Sequence, residues 1–299
     1  VCLILPSVSC NAPQTGQQNQ PQPAAQAATQ VGEREFTDDL GHKIILPQTV
    51  SRVISLAPSL TEMVFAVDGG DKLVGDTTFC NYPPEAQKVQ KVGDTISPNL
   101  EAIIALKPDV VLVTTASQIE TFTRRLEEQH IPVFVTNPKD LEGVYQSIET
   151  IGKILGKEVK AQELVAGLEK RVAEVENKTA QGTPYRVFVQ ISQEPLYAAG
   201  GTSFITDLIE RAGGFSVTAN IKDAYPRLSK ETALALQPDV IIISTGDGNM
   251  KQNDVFADSP AVKNKKVFQI DGDLLSRPGP RSVDALEQIA QKLHSNELP

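Results

Sequence analysis

The chain has no tryptophan, and only two methionines, three cysteines and three histidines among its 299 residues. Three scattered cysteines build neither a disulfide framework nor a thiolate metal site. His42, His130 and His294 stand apart, with no H-E-x-x-H pair and no Cys/His cluster, so a zinc or manganese centre has no signature here. Neither G-x-G-x-x-G nor G-x-x-x-x-G-K-[ST] occurs, which removes the usual signs of dinucleotide and P-loop phosphate binding. Nothing resembles a nucleophile elbow, and an enzyme finds no support. Basic residues are in the minority, 28 Lys and Arg against 37 Asp and Glu, for a net charge of −9. That balance argues against a nucleic-acid partner, which would need a basic stripe for its phosphates. No internal run approaches the roughly 20 apolar residues of a membrane span.

What the chain does have is a duplication. NLEAIIALKPDVVLVTT (Asn99–Thr115) and SKETALALQPDVIIIST (Ser229–Thr245) align at a constant offset of 130 residues, with seven of 17 positions identical. Each copy opens on a helix N-cap residue, Asn99 or Ser229, with a glutamate two positions later, Glu101 or Glu231. Each meets a proline that cannot continue a helix, then a β-branched run that reads as a buried parallel strand. The period is too long for a solenoid. It predicts two similar α/β lobes, with a ligand between them.

Hydrophobic content of 40% and charged content of 22% are those of a globular protein. The residue pattern predicts a hairpin over 36–47 and a strand over 53–56, broken by Ala57-Pro58-Ser59. Ser59 or Thr61 then caps an apolar helix through Val67. Further strands are expected at 73–75, 133–135, 186–191 and 267–270, and helices at 119–129, 141–155, 204–212 and 283–294. The 159–177 helix carries Val159, Leu164, Leu168, Val172 and Val175 on one stripe and would join the lobes stiffly. The fold class is α/β with mainly parallel sheets. The expected divisions are an N-terminal lobe over 35–156, an interlobe helix over 157–180 and a C-terminal lobe over 181–299.

Residues 1–10 are apolar and end at Cys10, and the chain starts at Val1 without methionine, as expected of a truncated signal peptide. No charged residue occurs from Asn11 to Gly32, where Gln, Pro and Ala dominate, so 11–34 reads as a disordered tether. Signal, cysteine and polar tether together resemble a bacterial lipoprotein, which implies that Cys10 is lipidated. Removal of the signal would take Cys2 with it and leave Cys80 as a lone thiol.

RVISLAPSLTEMVFAV (52–67), NYPPEAQKVQKVG (81–93), the two repeat copies and RPGPR (277–281) occur in a distinctive order. From about Arg34 onward the chain resembles the solute-binding proteins of ABC importers for corrinoids, haem and ferric siderophores, and among them the corrinoid binders. The resemblance implies two lobes joined by one long helix, moving little, and a monomer held to the membrane only by its lipid anchor, on the periplasmic or extracellular face. It implies that the protein carries cobalamin as transported ligand, needs no cofactor of its own, and docks on a permease dimer with its ATPase through Glu101 and Glu231. As ligand contacts it implies Phe79 just before NYPP, Asp273, Leu274, Leu275, Ser276 and Arg277, with Tyr225 and Pro58 facing the same gap. Corrinoid relatives use Trp in the cleft, where this chain has Thr95 and Tyr225, and 274–275 is aliphatic rather than aromatic. Those departures fit a wider pocket, another corrinoid or haem. Tyr82, Tyr197, Tyr225, Arg227 and Arg281 keep a haem or ferric-siderophore carrier open. A cell-surface sensor without a permease is the alternative from another class.

Overall fold

The computed structural model describes residues 32–115, 120–180, 182–246 and 248–294, together with Val1. Cys10, expected to be lipidated, and nearly all of the expected tether lie outside the described residues. β1 (Glu33–Thr37) and β2 (Lys43–Pro47) form an antiparallel hairpin, whose turn places Gly41 at a φ of 83°. Glycine enters that left-handed region without a Cβ penalty.

Short β-branched runs then build the first sheet. β3 (Val53–Ser55), β4 (Leu73–Asp76), β5 (Val110–Thr114) and β6 (Val133–Thr136) pair in parallel in the order β4-β3-β5-β6. They are linked through α1 (Pro58–Ala66), α2 (Leu100–Ala105) and α3 (Glu120–Glu128). α4 (Leu141–Leu155) and α5 (Glu158–Thr179) follow. The second sheet holds β7 (Tyr185–Ser192), β8 (Tyr197–Ala198), β9 (Gly214–Ser216), β10 (Val240–Thr245) and β11 (Val267–Asp271). Its order is β11-β10-β7-β8, with β9 also on β7, and within this sheet the β7–β8 pair is antiparallel while the other described pairs are parallel. Its helices are α6 (Phe204–Arg211), α7 (Lys230–Leu236), α8 (Pro260–Lys263), α9 (Gly272–Ser276) and α10 (Ser282–Leu293). The architecture is the two-lobed α/β class expected from the duplication.

The repeat is deeper in three dimensions than in sequence. The Asn99 side chain accepts from the Ala102 amide at 3.0 Å, and Ser229 Oγ accepts from the Thr232 amide at 3.2 Å. Lys107 and Gln237, each preceding the repeated proline, sit at φ 45° and 42°. Each short helix thus ends at a left-handed residue before the proline is reached. Asp109 accepts from the Arg52 amide at 2.9 Å while Arg52 Nη2 donates to the Leu106 carbonyl at 2.6 Å. Asp239 accepts from the Arg186 amide at 3.1 Å while Arg186 Nη2 donates to the Leu236 carbonyl at 2.7 Å. The same arginine–aspartate lock therefore ties each repeat copy to the start of its own lobe.

One apolar core runs from the first sheet to the second. Val53, Leu60, Val110, Ile148, Leu168, Val187, Ile209, Val240 and Leu286 all belong to it, so α4 and α5 are built into both lobes. α4 and α5 approach closely because Gly152 faces Ala161, where a Cβ on Gly152 would lie 2.4 Å from the Ala161 Cβ. Arg211 on α6 binds Glu142 of α4, Glu176 of α5 at 2.8 Å and Asp207 at 3.0 Å, riveting three helices together.

Two local expectations are corrected. α1 starts at Pro58, with Ala57 as N-cap and no side-chain cap, because proline's fixed φ already suits the first turn. Ser59 and Thr61 are instead buried inside that helix. The buried stripe of α5 begins at Ala161, and Val159 is 67% exposed because the first turn extends past the edge of the core.

Candidate functional site

The site centres on a carboxylate within the first lobe. Glu62 lies on α1 amid Leu60, Thr61, Met63 and Val64 and is 3% exposed. A buried carboxylate needs compensating charge, and the segment after α9 supplies it twice. Arg281 grips Glu62 bidentately, Nε to Oε2 at 2.8 Å and Nη2 to Oε1 at 2.6 Å. Arg277 Nη1 donates to Glu62 Oε1 at 3.2 Å. Its contact with Glu62 keeps the Arg281 guanidinium above its usual proton affinity, against the effect of burial. The Arg281 guanidinium also lies over the Tyr82 ring, 4.1 Å from its centroid.

Above the clasp the two lobes share polar groups. Arg277 Nη1 donates to Asn81 Oδ1 at 2.7 Å, and Nη2 reaches the Phe79 carbonyl at 3.4 Å and Asp273 at 2.7 Å. Asn81 Nδ2 donates to Asp273 Oδ2 at 3.2 Å. Three residues singled out from sequence, Phe79, Asp273 and Arg277, thus meet in one network. The Phe79 ring itself is 52% exposed beside it.

The Phe79 loop rests on a buried polar layer. Cys80 is buried, its sulfur 3.1 Å from Thr61 Oγ1 and 3.2 Å from Thr77 Oγ1, and burial raises its thiol pKa. Lys91 ties the loop down, donating to Asp76 Oδ1 at 2.7 Å, to the Cys80 carbonyl at 3.2 Å and to the Ala86 carbonyl at 3.0 Å. Burial pushes the Asp76 carboxyl up to about 6, with Lys91 opposing the shift.

The 273–277 segment, which the resemblance implies as ligand contacts, is mostly helical. It begins in α9, because Asp271 caps the Asp273 amide at 2.8 Å and Ser276 Oγ donates to the Gly272 carbonyl at 2.6 Å. Leu275 is fully buried in the main core and Leu274 packs against that core, so this aliphatic pair anchors α9 from behind. Leu275 therefore offers no surface to a ligand. Ser276 is exposed, and Pro58 is half-buried at the first turn of α1.

Tyr225 sits on a separate loop and is 41% exposed. Gly200 and Gly201 make room for that loop. Their amides donate to the carbonyls of Ala224 and Ile221, both at 2.9 Å. A Cβ on Gly200 would fall 2.0 Å from the Asp223 carbonyl oxygen. Burial raises the Tyr225 phenol, with the Ser203 hydroxyl opposing. Glu101 and Glu231 are exposed on α2 and α7, away from this network. The Glu231 carboxyl is held below its usual range by its own backbone amide and the Ser229 hydroxyl.

Sequence reading missed Glu62. A single acid in the apolar run LTEMVF, together with the two arginines of RPGPR, was the available signal. Among the described residues there is no group of three His, Cys, Asp or Glu that could hold a metal ion, and no helix long and apolar enough to cross a membrane.

Residues 53–274 match the periplasmic binding protein family. The chain belongs to that family. This binding protein is 30% identical over 279 residues to the uncharacterized ABC transporter substrate-binding lipoprotein YvrC of Bacillus subtilis, covering 90% of this chain and 88% of the relative. It is 31% identical over 245 residues to a vitamin B12-binding protein of Photorhabdus laumondii, covering 82% of this chain and 88% of the relative. Among solved structures it resembles the vitamin B12-binding protein BtuF of Vibrio cholerae, with a TM-score of 0.75 at 28% identity over 84% of this chain and 99% of that one. It also resembles the haem-binding protein RhuT of Roseiflexus, with a TM-score of 0.74 at 25% identity over 82% and 98%.

Proposed function

We propose that this binding protein captures cobalamin or a related corrinoid between its lobes and delivers it to an ABC permease and its ATPase. Binding and release are the whole cycle, with no bond made or broken. The observation that carries the reading is the half-exposed Phe79, held in place by a network that both lobes contribute to. A flat macrocycle with amide side chains suits that arrangement. Phe79 and Tyr225 supply area, while Asn81, Asp273, Ser276 and Arg277 supply polar contacts at its edge, with Pro58 and Leu274 beside them. Glu101 and Glu231 dock on the permease. Lipidation of Cys10 holds the protein, as a monomer, on the outer face of the cytoplasmic membrane. The named vitamin B12-binding relatives support the ligand class, and the lipoprotein relative supports the anchor.

Calorimetric titration of cyanocobalamin into Phe79→Ala and Tyr225→Ala tests the assignment. Each variant is expected to bind roughly tenfold or more weakly, as losing an aromatic contact does, with its fold unchanged. Wild-type affinity in both would overturn it.

A further inference from the structure

The two short helices carrying the repeated glutamates leave the same three-residue face in solvent. In α2 it is Glu101, Ile104 and Ala105, with Ile103 buried; in α7 it is Glu231, Leu234 and Ala235, with Ala233 buried. Positions i, i+3 and i+4 share one side of a helix. Ile104 is 36% exposed and Leu234 51%. A single exposed aliphatic residue is ordinary. Two of them, at matched positions 130 residues apart and each beside a matched acid, are not explained by chance exposure. Exposed positions elsewhere in the same copies differ, with Lys107 against Gln237.

We infer that each lobe docks through a two-part contact, its glutamate on a basic group and its aliphatic side chain in an apolar pocket, on a permease that presents two equivalent copies of that surface. The inference rests on the docking role proposed above and adds the apolar half of the contact. The chemistry of the face argues for the partner. A carboxylate calls for a cation, and a chain carrying one face twice fits a partner carrying its complement twice, as two copies of one subunit do. The two halves divide the work. The acid steers approach and is screened by salt, whereas burial of Ile104 and Leu234 holds the complex at any ionic strength.

The test is binding of the ligand-loaded protein to the permease–ATPase complex of its host's corrinoid importer in nanodiscs, at low and high salt. Ile104→Ser with Leu234→Ser should weaken binding by roughly tenfold or more at both salt concentrations, the loss of two buried aliphatic groups. Glu101→Gln with Glu231→Gln should weaken it chiefly at low salt and flatten the salt dependence. Cobalamin affinity should be the same in all variants. Wild-type docking by the serine pair, with the glutamine pair weakened, overturns the apolar contact and leaves the docking role intact. Wild-type docking by both pairs overturns the docking role and this inference with it. If the serine pair instead loses binding to empty nanodiscs, or loses self-association, the face belongs to lipid or to a second copy and the inference fails.

Discussion

Arg281 holds both carboxylate oxygens of Glu62 across the base of the two lobes, at 2.8 and 2.6 Å, with Arg277 adding a third contact to the same acid. Removing the acid leaves two guanidinium groups facing each other in a poorly hydrated place. Glu62→Ala is therefore expected to cost about 3 kcal/mol, the lower end for breaking a buried pair, because both arginine side chains retain some contact with water. Glu62→Gln should cost less, since its amide oxygen still accepts. Chemical denaturation checks this, and a loss below about 1 kcal/mol for the alanine variant would show the clasp to be energetically idle.

Gly200→Ala should be disproportionately damaging for a one-carbon change. The added methyl would sit 2.0 Å from the Asp223 carbonyl oxygen, and the Tyr225 loop must move to admit it. The expected loss is about 1–3 kcal/mol, typical of overpacking. Ligand affinity should fall as well, because Tyr225 moves with the loop. Unchanged stability together with unchanged cobalamin binding would contradict that placement of Tyr225.

Asp76 should make stability depend on pH. Burial pushes its folded carboxyl up to about 6, above the ordinary aspartate range. The folded state therefore holds this proton more tightly than the unfolded chain. Relative to Asp76→Asn, the wild type should be most stable below pH 4, lose that advantage as pH rises through about 6, and level off above. The swing is on the order of 3 kcal/mol, the net effect of burial and the opposing Lys91 contact. Denaturation of both proteins from pH 4 to 7 measures the difference. A flat difference would mean that Asp76 stays ionised throughout.

The duplication made much of the fold legible in the sequence. Aligned copies give two helices, two strands and the caps at Asn99 and Ser229 directly, since every one of those signals is local. The arginine–aspartate locks were not legible, because Arg52 and Arg186 lie more than 50 residues before the aspartates they engage. Glu62 was hidden for the same reason, its partners following 215 and 219 residues later. Motif correspondence brought out Phe79, Asp273 and Arg277, which do meet. It also drew in Leu275, whose aliphatic side chain the core claims. A motif marks a segment, while packing decides which side chains of that segment face a ligand.

The central claim is the corrinoid cargo, and a side-by-side titration tests it most directly. Cyanocobalamin, haemin and a ferric siderophore would each be added to the purified protein, followed by absorbance and calorimetry. The account predicts saturable one-to-one binding of cyanocobalamin, tighter than either alternative and weakened by Phe79→Ala. No cobalamin binding at micromolar protein, together with saturable binding of haemin or the ferric chelate, would contradict it.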